Sequence, residues 1–300
     1  MEVISKIPDK GDPSDILQLF PKYNLQLLCC RYWWLTKWEF SELSFPYWRI
    51  YHNTQHGAFL NHNGITHALS PDKIYVIAPN TSYSTYLFDH EIPQNTFAFE
   101  GGRIGEKAGI QNKDKPFIDH LFIHFNIGMP YDNVSPGIFT FDVNDHLKKK
   151  IRIITRHLNV NSTQFSFYPF LAIQSLIGDL LTEIDESNWD LPSNDNRILN
   201  VLSYIENHIA ENLTNQELSA LCHLAPNSFT RLFLAEVGVS PQRYVKKKRI
   251  NSACILLHYS IHSIEEISSR IGFANRYHFT RIFTQTIGIS PAKYRREFGM

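Results

Sequence analysis

ISSRIGFANRYHFTRIFTQTIGISPAKYRREF, residues 267–298, is a second copy of LSALCHLAPNSFTRLFLAEVGVSPQRYV, residues 218–245. Thr214-x-x-Glu217 and Ser263-x-x-Glu266 lie 49 residues apart, as do Leu218 and Ile267, and Cys222 and Ile271. Beyond the turn the offset becomes 50, pairing Phe229 with Phe279, Arg231 with Arg281, Gly238 with Gly288 and Tyr244 with Tyr294. A loop absorbs the one extra residue of the second copy. A fixed repeat of this kind marks one supersecondary unit used twice.

Each unit reads as a helix of two to three turns, a short turn, and a longer helix ended by glycine. Hydroxyl and carboxylate three residues apart satisfy each other's helix-start amides, which is the capping box. A glycine after the last apolar position supplies the left-handed backbone that stops a helix. This is the helix-turn-helix pattern. In the second helix of each unit, Phe229, Leu232 and Phe233, or Phe279, Ile282 and Phe283, share one face and must point inward. The opposite face carries Asn227, Thr230 and Arg231 in the first copy, and Arg276, Tyr277, Thr280 and Arg281 in the second. Such side chains hydrogen-bond base edges or phosphates in a major groove. Between the copies PQRYVKKKRINSACILLHY, residues 241–259, is helical by pattern. At 1.5 Å per residue it spans roughly 27 Å, comparable with the ~34 Å between successive major-groove faces. Lys246 to Arg249 in this helix are open to two readings, solvated face or phosphate contact.

Residues 267–298 resemble the C-terminal signature of AraC/XylS-type transcription regulators: I-[AS]-x-x-x-G-F, F-[ST]-R-x-F and G-x-[ST]-P-x-x-[YF]-R. Residues 218–245 are similar to the first module of the same family. The resemblance spans 197–300 and implies seven helices, with two recognition helices bridged by the long one. Two departures stand out. Ala225 replaces the serine or threonine that often caps the first recognition helix, leaving Pro226 to set its start. His223 stands where the second copy has Gly272.

Working back toward the N-terminus, texture changes. SNWDLPSNDN, ending at residue 196, reads as an interdomain linker, with bounds 188–196. Residues 145–187 carry apolar residues at three- and four-residue spacings. Phe170, Ile173, Leu176, Ile177, Leu180, Leu181 and Ile184 form a stripe long enough to meet a partner helix, so this segment is expected to dimerise the chain. Residues 1–144 hold four of the five tryptophans in short runs such as YWRIYH, KIYVIAP and HLFIHF, separated by turn-rich segments. Such runs predict a β-sandwich or barrel. LSPDKIYVIAPNTSYSTY (69–86) and HLFIHF (120–125) are similar to strands of the cupin-like sensor barrel of these regulators. That resemblance places Tyr83, His120 and Phe122 at pocket-facing positions. Trp48 joins them on aromatic content alone. Gly101-Gly102-Arg103-Ile104-Gly105 has neither phosphate-loop nor dinucleotide spacing and reads as a loop. Lys148 to Lys150 read as a solvated helix face.

Net charge is zero, but the halves differ. From Arg197 onward 13 Lys and Arg face 7 Asp and Glu, leaving 16 against 22 in residues 1–196. A basic block joined to an acidic one fits a chain of which one domain meets phosphate. Four cysteines form no disulfide framework, which suits a reducing compartment. No signal-peptide pattern opens the chain and no apolar run approaches the ~20 residues of a membrane span. A cytoplasmic location, and no membrane partner, are therefore expected. His52 with His56, and His120 with His124, have the spacing that puts both on one strand face. Metal-binding cupins, however, use H-x-H followed by glutamate, which is absent, so neither metal nor cofactor is expected.

The fold expected is therefore a two-domain chain: a cupin-like β-barrel (1–144) with a helical dimerisation segment (145–187), then an all-α domain with two helix-turn-helix modules (197–300). The function expected is a sequence-specific DNA-binding transcription regulator, activator or repressor, the sequence alone not giving the sign of regulation. Its barrel senses a small molecule, with sugars or sugar derivatives among the candidates. Its partners are double-stranded DNA, the effector, a second copy of itself, and RNA polymerase as a further candidate. No enzymatic activity is expected, since no metal triad, G-x-S-x-G or Cys/His nucleophile arrangement occurs. Two alternatives remain: a constitutive DNA-binding dimer with a non-sensing barrel, and a cupin-type enzyme with a DNA-binding tail.

Overall fold

A computed structural model describes residues 24–88, 91–94, 97–104, 116–128, 131–160, 164–189 and 195–298. The N-terminal stretch and most of the 188–196 linker lie outside the described residues.

Among the described residues, nine antiparallel strands form one sheet: β1 (Gln26–Leu43), β2 (Trp48–Asn53), β3 (Ala58–His62), β4 (Ile65–Leu69), β5 (Lys73–Ile77), β6 (Tyr83–Leu87), β7 (Phe97–Arg103), β8 (Ile118–Asn126) and β9 (Ile138–Asp142). Their order is β4-β3-β6-β1-β8-β2-β5-β9, with β7 also paired to β1. The 18-residue β1 changes partner along its length, from β8 to β7 to β6. Register shifts at Leu27/Cys29, Leu35/Lys37 and Phe40/Leu43 bend it, as bulges do. A bent strand shared by two sets of partners rolls the sheet into a half-barrel. The strands that flank the 78–82 turn, β5 and β6, consequently belong to different parts of the sheet.

Strand alternation gives this sheet two chemically different faces. Trp48 pairs with Phe125 and Ile50 with Ile123, while Arg49 pairs with His124, Tyr51 with Phe122 and Asn53 with His120. The first set faces two helices, α1 (Asp145–Val160) and α2 (Phe167–Thr182), and forms one core with Leu147, Ile151, Ile154, Leu158, Ile173, Leu176 and Leu180. The second set lines the concave side.

This arrangement corrects three expectations. The α2 stripe does not await a partner chain: Ile173, Leu176, Ile177, Leu180 and Ile184 are fully or almost fully buried against α1 and the sheet. Apolar periodicity reports that a face is covered, not by what. Lys148 and Lys149 are exposed, but Lys150 is buried and bonded to Asp179 of α2. Gly101 and Gly102 lie in β7 rather than a loop, opposite Leu35 and Trp34. A Cβ at Gly101 would come within 2.4 Å of the Trp34 carbonyl oxygen, so the glycines serve close strand approach.

The C-terminal region is all helical: α3 (Asn196–Asn207), α4 (Asn215–Ala220), α5 (Pro226–Val237), α6 (Pro241–Tyr259), α7 (Ile264–Arg270), α8 (Arg276–Ile287) and α9 (Pro291–Phe298). The seven helices are those the family resemblance implies, and the bounds of α6 are those the sequence pattern gives; α4 and α7 are shorter than expected, nearer two turns. Phe229 and Phe233 anchor one core with Ile198, Val201, Leu202 and Ile205 of α3. Phe279 and Phe283 anchor another with Ile250, Ala253, Cys254 and Leu257 of α6. All four phenylalanines are completely buried, each contributing roughly 1.5–3 kcal/mol by area removed from water. The second core runs on without a break into the concave side of the half-barrel, whereas the first is a separate cluster.

Candidate nucleic-acid interface

Both capping boxes form. Thr214 Oγ1 accepts from Glu217 N at 3.2 Å while Glu217 Oε2 accepts from Thr214 N at 2.7 Å. Ser263 and Glu266 repeat this at 3.1 and 2.6 Å. Gly238 and Gly288 end α5 and α8 at φ 74° and 88°, in the left-handed region glycine enters without cost. Asn275 caps α8 by accepting from His278 N at 2.8 Å, but Ala225 offers α5 no side-chain cap and Pro226 holds its first position. His223 sits at φ 55° where the second copy has Gly272 at φ 78°. A side chain at Gly272 would also collide with the Ile209 carbonyl at 2.7 Å and the Arg249 guanidinium.

With the phenylalanines turned inward, the predicted face of each second helix points outward. On α8, Arg276, Tyr277, Thr280 and Arg281 line one shallow concavity. Arg276 and Arg281 are exposed, and Tyr277 is 86% exposed. Thr284 and Gln285 continue the same strip. Sequence reading missed these two, although they lie four residues beyond Thr280 and Arg281, the helical spacing that keeps one face. On α5, Asn227 and Arg231 are exposed. Thr230 is half-buried and otherwise engaged: its hydroxyl donates to Pro226 O at 2.8 Å and accepts from Asn215 Nδ2 at 3.3 Å. The repeat partners of Thr284 and Gln285 are Leu234 and Ala235, so the first face is less polar; Leu234 is 49% exposed.

The basic run of α6 divides by direction. Lys246 and Lys247 are exposed. Lys248 pairs with Glu206 at 2.6 Å, and Arg249 donates to Ile209 O at 3.1 Å and Glu211 O at 2.6 Å. Arg249 therefore ties α6 to the loop after α3. A polar cleft of about 950 Å³ separates the half-barrel from the first module, lined by Asn24, Asn126, Asp132, Glu206, Tyr244 and Lys248 among others.

The four residues assigned to a sensor pocket do not all meet. Tyr83, His120 and Phe122 face the concave side. Tyr83 Oη lies 2.8 Å from Tyr51 Oη. His120 Nδ1 lies 2.6 Å from Asn53 Oδ1, and its ring packs 4.7 Å from Trp38 and 4.8 Å from Tyr51. Burial holds the His120 imidazole down to about 3, hence neutral. Phe122 packs between His120 and His124. Trp48 is on the other face, completely buried, stacked over Phe125 at 6.1 Å and bonded through Nε1 to Asp132 Oδ1 at 3.0 Å. Aromatic content could not separate the two faces; strand parity could, since Trp48 alternates with Arg49 and Tyr51. The concave residues that sequence reading missed are Arg49, Tyr51, Tyr47 and His124.

Comparison with known proteins bears chiefly on the helical C-terminal region. The helix-turn-helix domain family matches residues 218–297. The HTH-type transcriptional activator RhaS of Klebsiella pneumoniae is 26% identical over 139 residues, 46% of this chain and 50% of RhaS. RhaS of Salmonella paratyphi B is 31% identical over 87 residues, 29% of this chain and 31% of that protein. The chain thus spans half or less of the length of the curated relatives it matches. Among solved structures, the apo form of a ToxT variant from Vibrio cholerae is similar with a TM-score of 0.50 at 10% identity, over 90% of this chain and 97% of ToxT. At that identity the likeness speaks for the shared two-domain fold alone.

Proposed function

We propose that this chain, whose C-terminal region matches a helix-turn-helix domain family and resembles the AraC/XylS double helix-turn-helix unit, is a sequence-specific DNA-binding transcription regulator with a small-molecule-sensing half-barrel. The observation that carries the reading is the pair of outward polar faces on α5 and α8, bridged by the 19 residues of α6. Asn227, Thr230, Arg231, Arg276, Tyr277, Thr280 and Arg281 contact the DNA. Thr230 acts chiefly by holding the start of α5. The RhaS relatives are activators by name, which supports activation, and with it RNA polymerase as a partner, over enzymatic chemistry. A homodimer belongs to the same reading, joined through the outward side of α2, where Phe167, Tyr168 and Leu171 are exposed. Among the described residues, no helix is long and apolar enough to cross a membrane.

Site selection from random duplex DNA with the full-length protein tests this function. The expected result is an enriched site with two elements about one helical turn, ~34 Å, apart. Recovery of no preferred sequence overturns it. A second reading, a barrel that only joins the DNA-binding units, is favoured by the close ring packing of Trp38, Tyr51 and His120. A metabolite panel that leaves both melting temperature and DNA affinity unmoved would select it.

A further inference from the structure

Where the half-barrel meets the DNA-binding domain, a cation is buried without a counter-charge among the described residues. Arg49 is 3% exposed. Its guanidinium donates to the hydroxyls of Tyr83, of Tyr51 at 3.5 Å and of Tyr47 at 3.3 Å, and its Cζ lies 3.7 Å above the Phe45 ring. Its Nε is buried with no partner. No carboxylate among the described residues reaches it; the groups acting on it electrostatically are the tyrosines 83, 51, 47 and 259. These do not supply the missing charge. Burial pushes Tyr47 up to about 12, and Tyr83 and Tyr259 well above the ordinary phenol range, so all three stay neutral at physiological pH.

The surroundings repeat the imbalance. Arg31, on the concave face of β1, also has a buried, unpartnered Nε, and His124 Nε2 is likewise buried without a partner. The charged groups acting on His124 and His258 are Arg49 and Arg31, with His258 and His120 also acting on His124; no acid is among them. A buried guanidinium is costly unless it is paired and its donors are satisfied. Tyrosine hydroxyls and an aromatic face offset part of that cost. The planar fork of Arg is matched by a carboxylate, which takes two of its N–H groups at once.

We propose that Arg49 anchors a binding site for a small carboxylate ligand, whose remainder lies against Phe45, Tyr47 and Phe122. This inference rests on the sensing role given to the half-barrel and names its ligand class. It also gives a route to the DNA-binding domain. The last turn of α6 closes the same cluster: Tyr47 Oη is 3.2 Å from His258 Nδ1, and Tyr259 Oη meets His124 Nδ1 and lies 3.9 Å from Cys29 Sγ. Tyr294 of α9 packs on Phe45 at 6.3 Å. A carboxylate entering at Arg49 changes what α6 and α9 rest on, and so biases how the second module is held.

The test compares acids with their amides on the full chain: acetate with acetamide, benzoate with benzamide, glucuronate with glucuronamide, at constant ionic strength. Melting temperature is expected to rise with acid concentration and not with amide, and Arg49→Met to lose the difference. Lys149→Met, which removes an exposed cation from α1, keeps it. Equal behaviour of every acid–amide pair in the wild-type protein overturns the proposal, whether or not Arg49→Met folds. So does an acid effect that survives in Arg49→Met. Site selection is run alongside. A protein that selects a DNA site but does not distinguish acid from amide fails this proposal alone, whereas one that selects no site fails the regulatory reading.

Discussion

At the scale of single residues, the internal repeat is its own control. Arg276 and Pro226 are repeat partners, so the second recognition helix opens on a free guanidinium where the first opens on a backbone lock. If Arg276 reads a guanine edge, Arg276→Ala costs about 1–3 kcal/mol at the preferred site and relaxes preference at one base pair. Quantitative binding to single-base variants of the selected site measures this, and a uniform loss across all of them assigns the residue to phosphate instead. His223 and Gly272 make a second matched pair. Both occupy left-handed backbone, but only Gly272 does so without a Cβ. His223→Gly is therefore expected to raise unfolding free energy by about 1 kcal/mol, less whatever the added freedom of the unfolded chain removes. Gly272→Ala is expected to lower it by more, because the carbonyl of Ile209 stands in the way. Denaturant titration of both variants checks the opposite signs.

At the scale of elements, α2 shows how one helix divides its labour. Its inward stripe, with Leu176 and Leu180 essentially unexposed, belongs to the core under the sheet. Truncating such leucines costs about 2–5 kcal/mol each, and a buried unpaired carboxylate costs more. Leu176→Glu with Leu180→Glu is accordingly expected to unfold the N-terminal domain rather than yield a folded monomer, with loss of cooperative melting as the readout. The outward side is where a subunit contact is testable. Phe167→Ser with Leu171→Ser should leave melting within a few degrees of wild type and halve the sedimenting mass; an unchanged mass removes α2 from the dimer contact.

At the scale of the whole molecule, the junction between half-barrel and second module responds to acid. Burial and then the positive charge of Arg49 hold His258 down to about 3, and His124 well below the ordinary imidazole value. The groups facing them are Arg49, Arg31, Tyr47, Tyr259 and His120. Because the folded values lie below the unfolded value near 6.5, the unfolded or opened chain binds more protons. Stability is full above that pH and falls as acid is added toward the folded values. Glu217 and Glu266, lowered by their capping hydrogen bonds, act in the same direction at lower pH. Melting temperature is therefore expected to fall between pH 7 and 5, and His258→Asn to flatten part of that slope; an unaltered slope in the variant places the acid response elsewhere. The sequence by itself determined the capping boxes, inward phenylalanines and stop glycines of the C-terminal helices, because these are local and helix periodicity expresses them within four residues. It also determined that sheet precedes helix. Only the tertiary structure decided which strand face meets α1 and α2, which sent Trp48 to one core and Arg49 to the other. It decided likewise that the α2 stripe is spent within the chain, and that His258 and Tyr259 close over Arg49. The physical reason is common to all three. Alternation and periodicity record that a side chain is covered, whereas the identity of the cover depends on pairings between residues as far apart as Tyr47 and His258, which no local pattern carries.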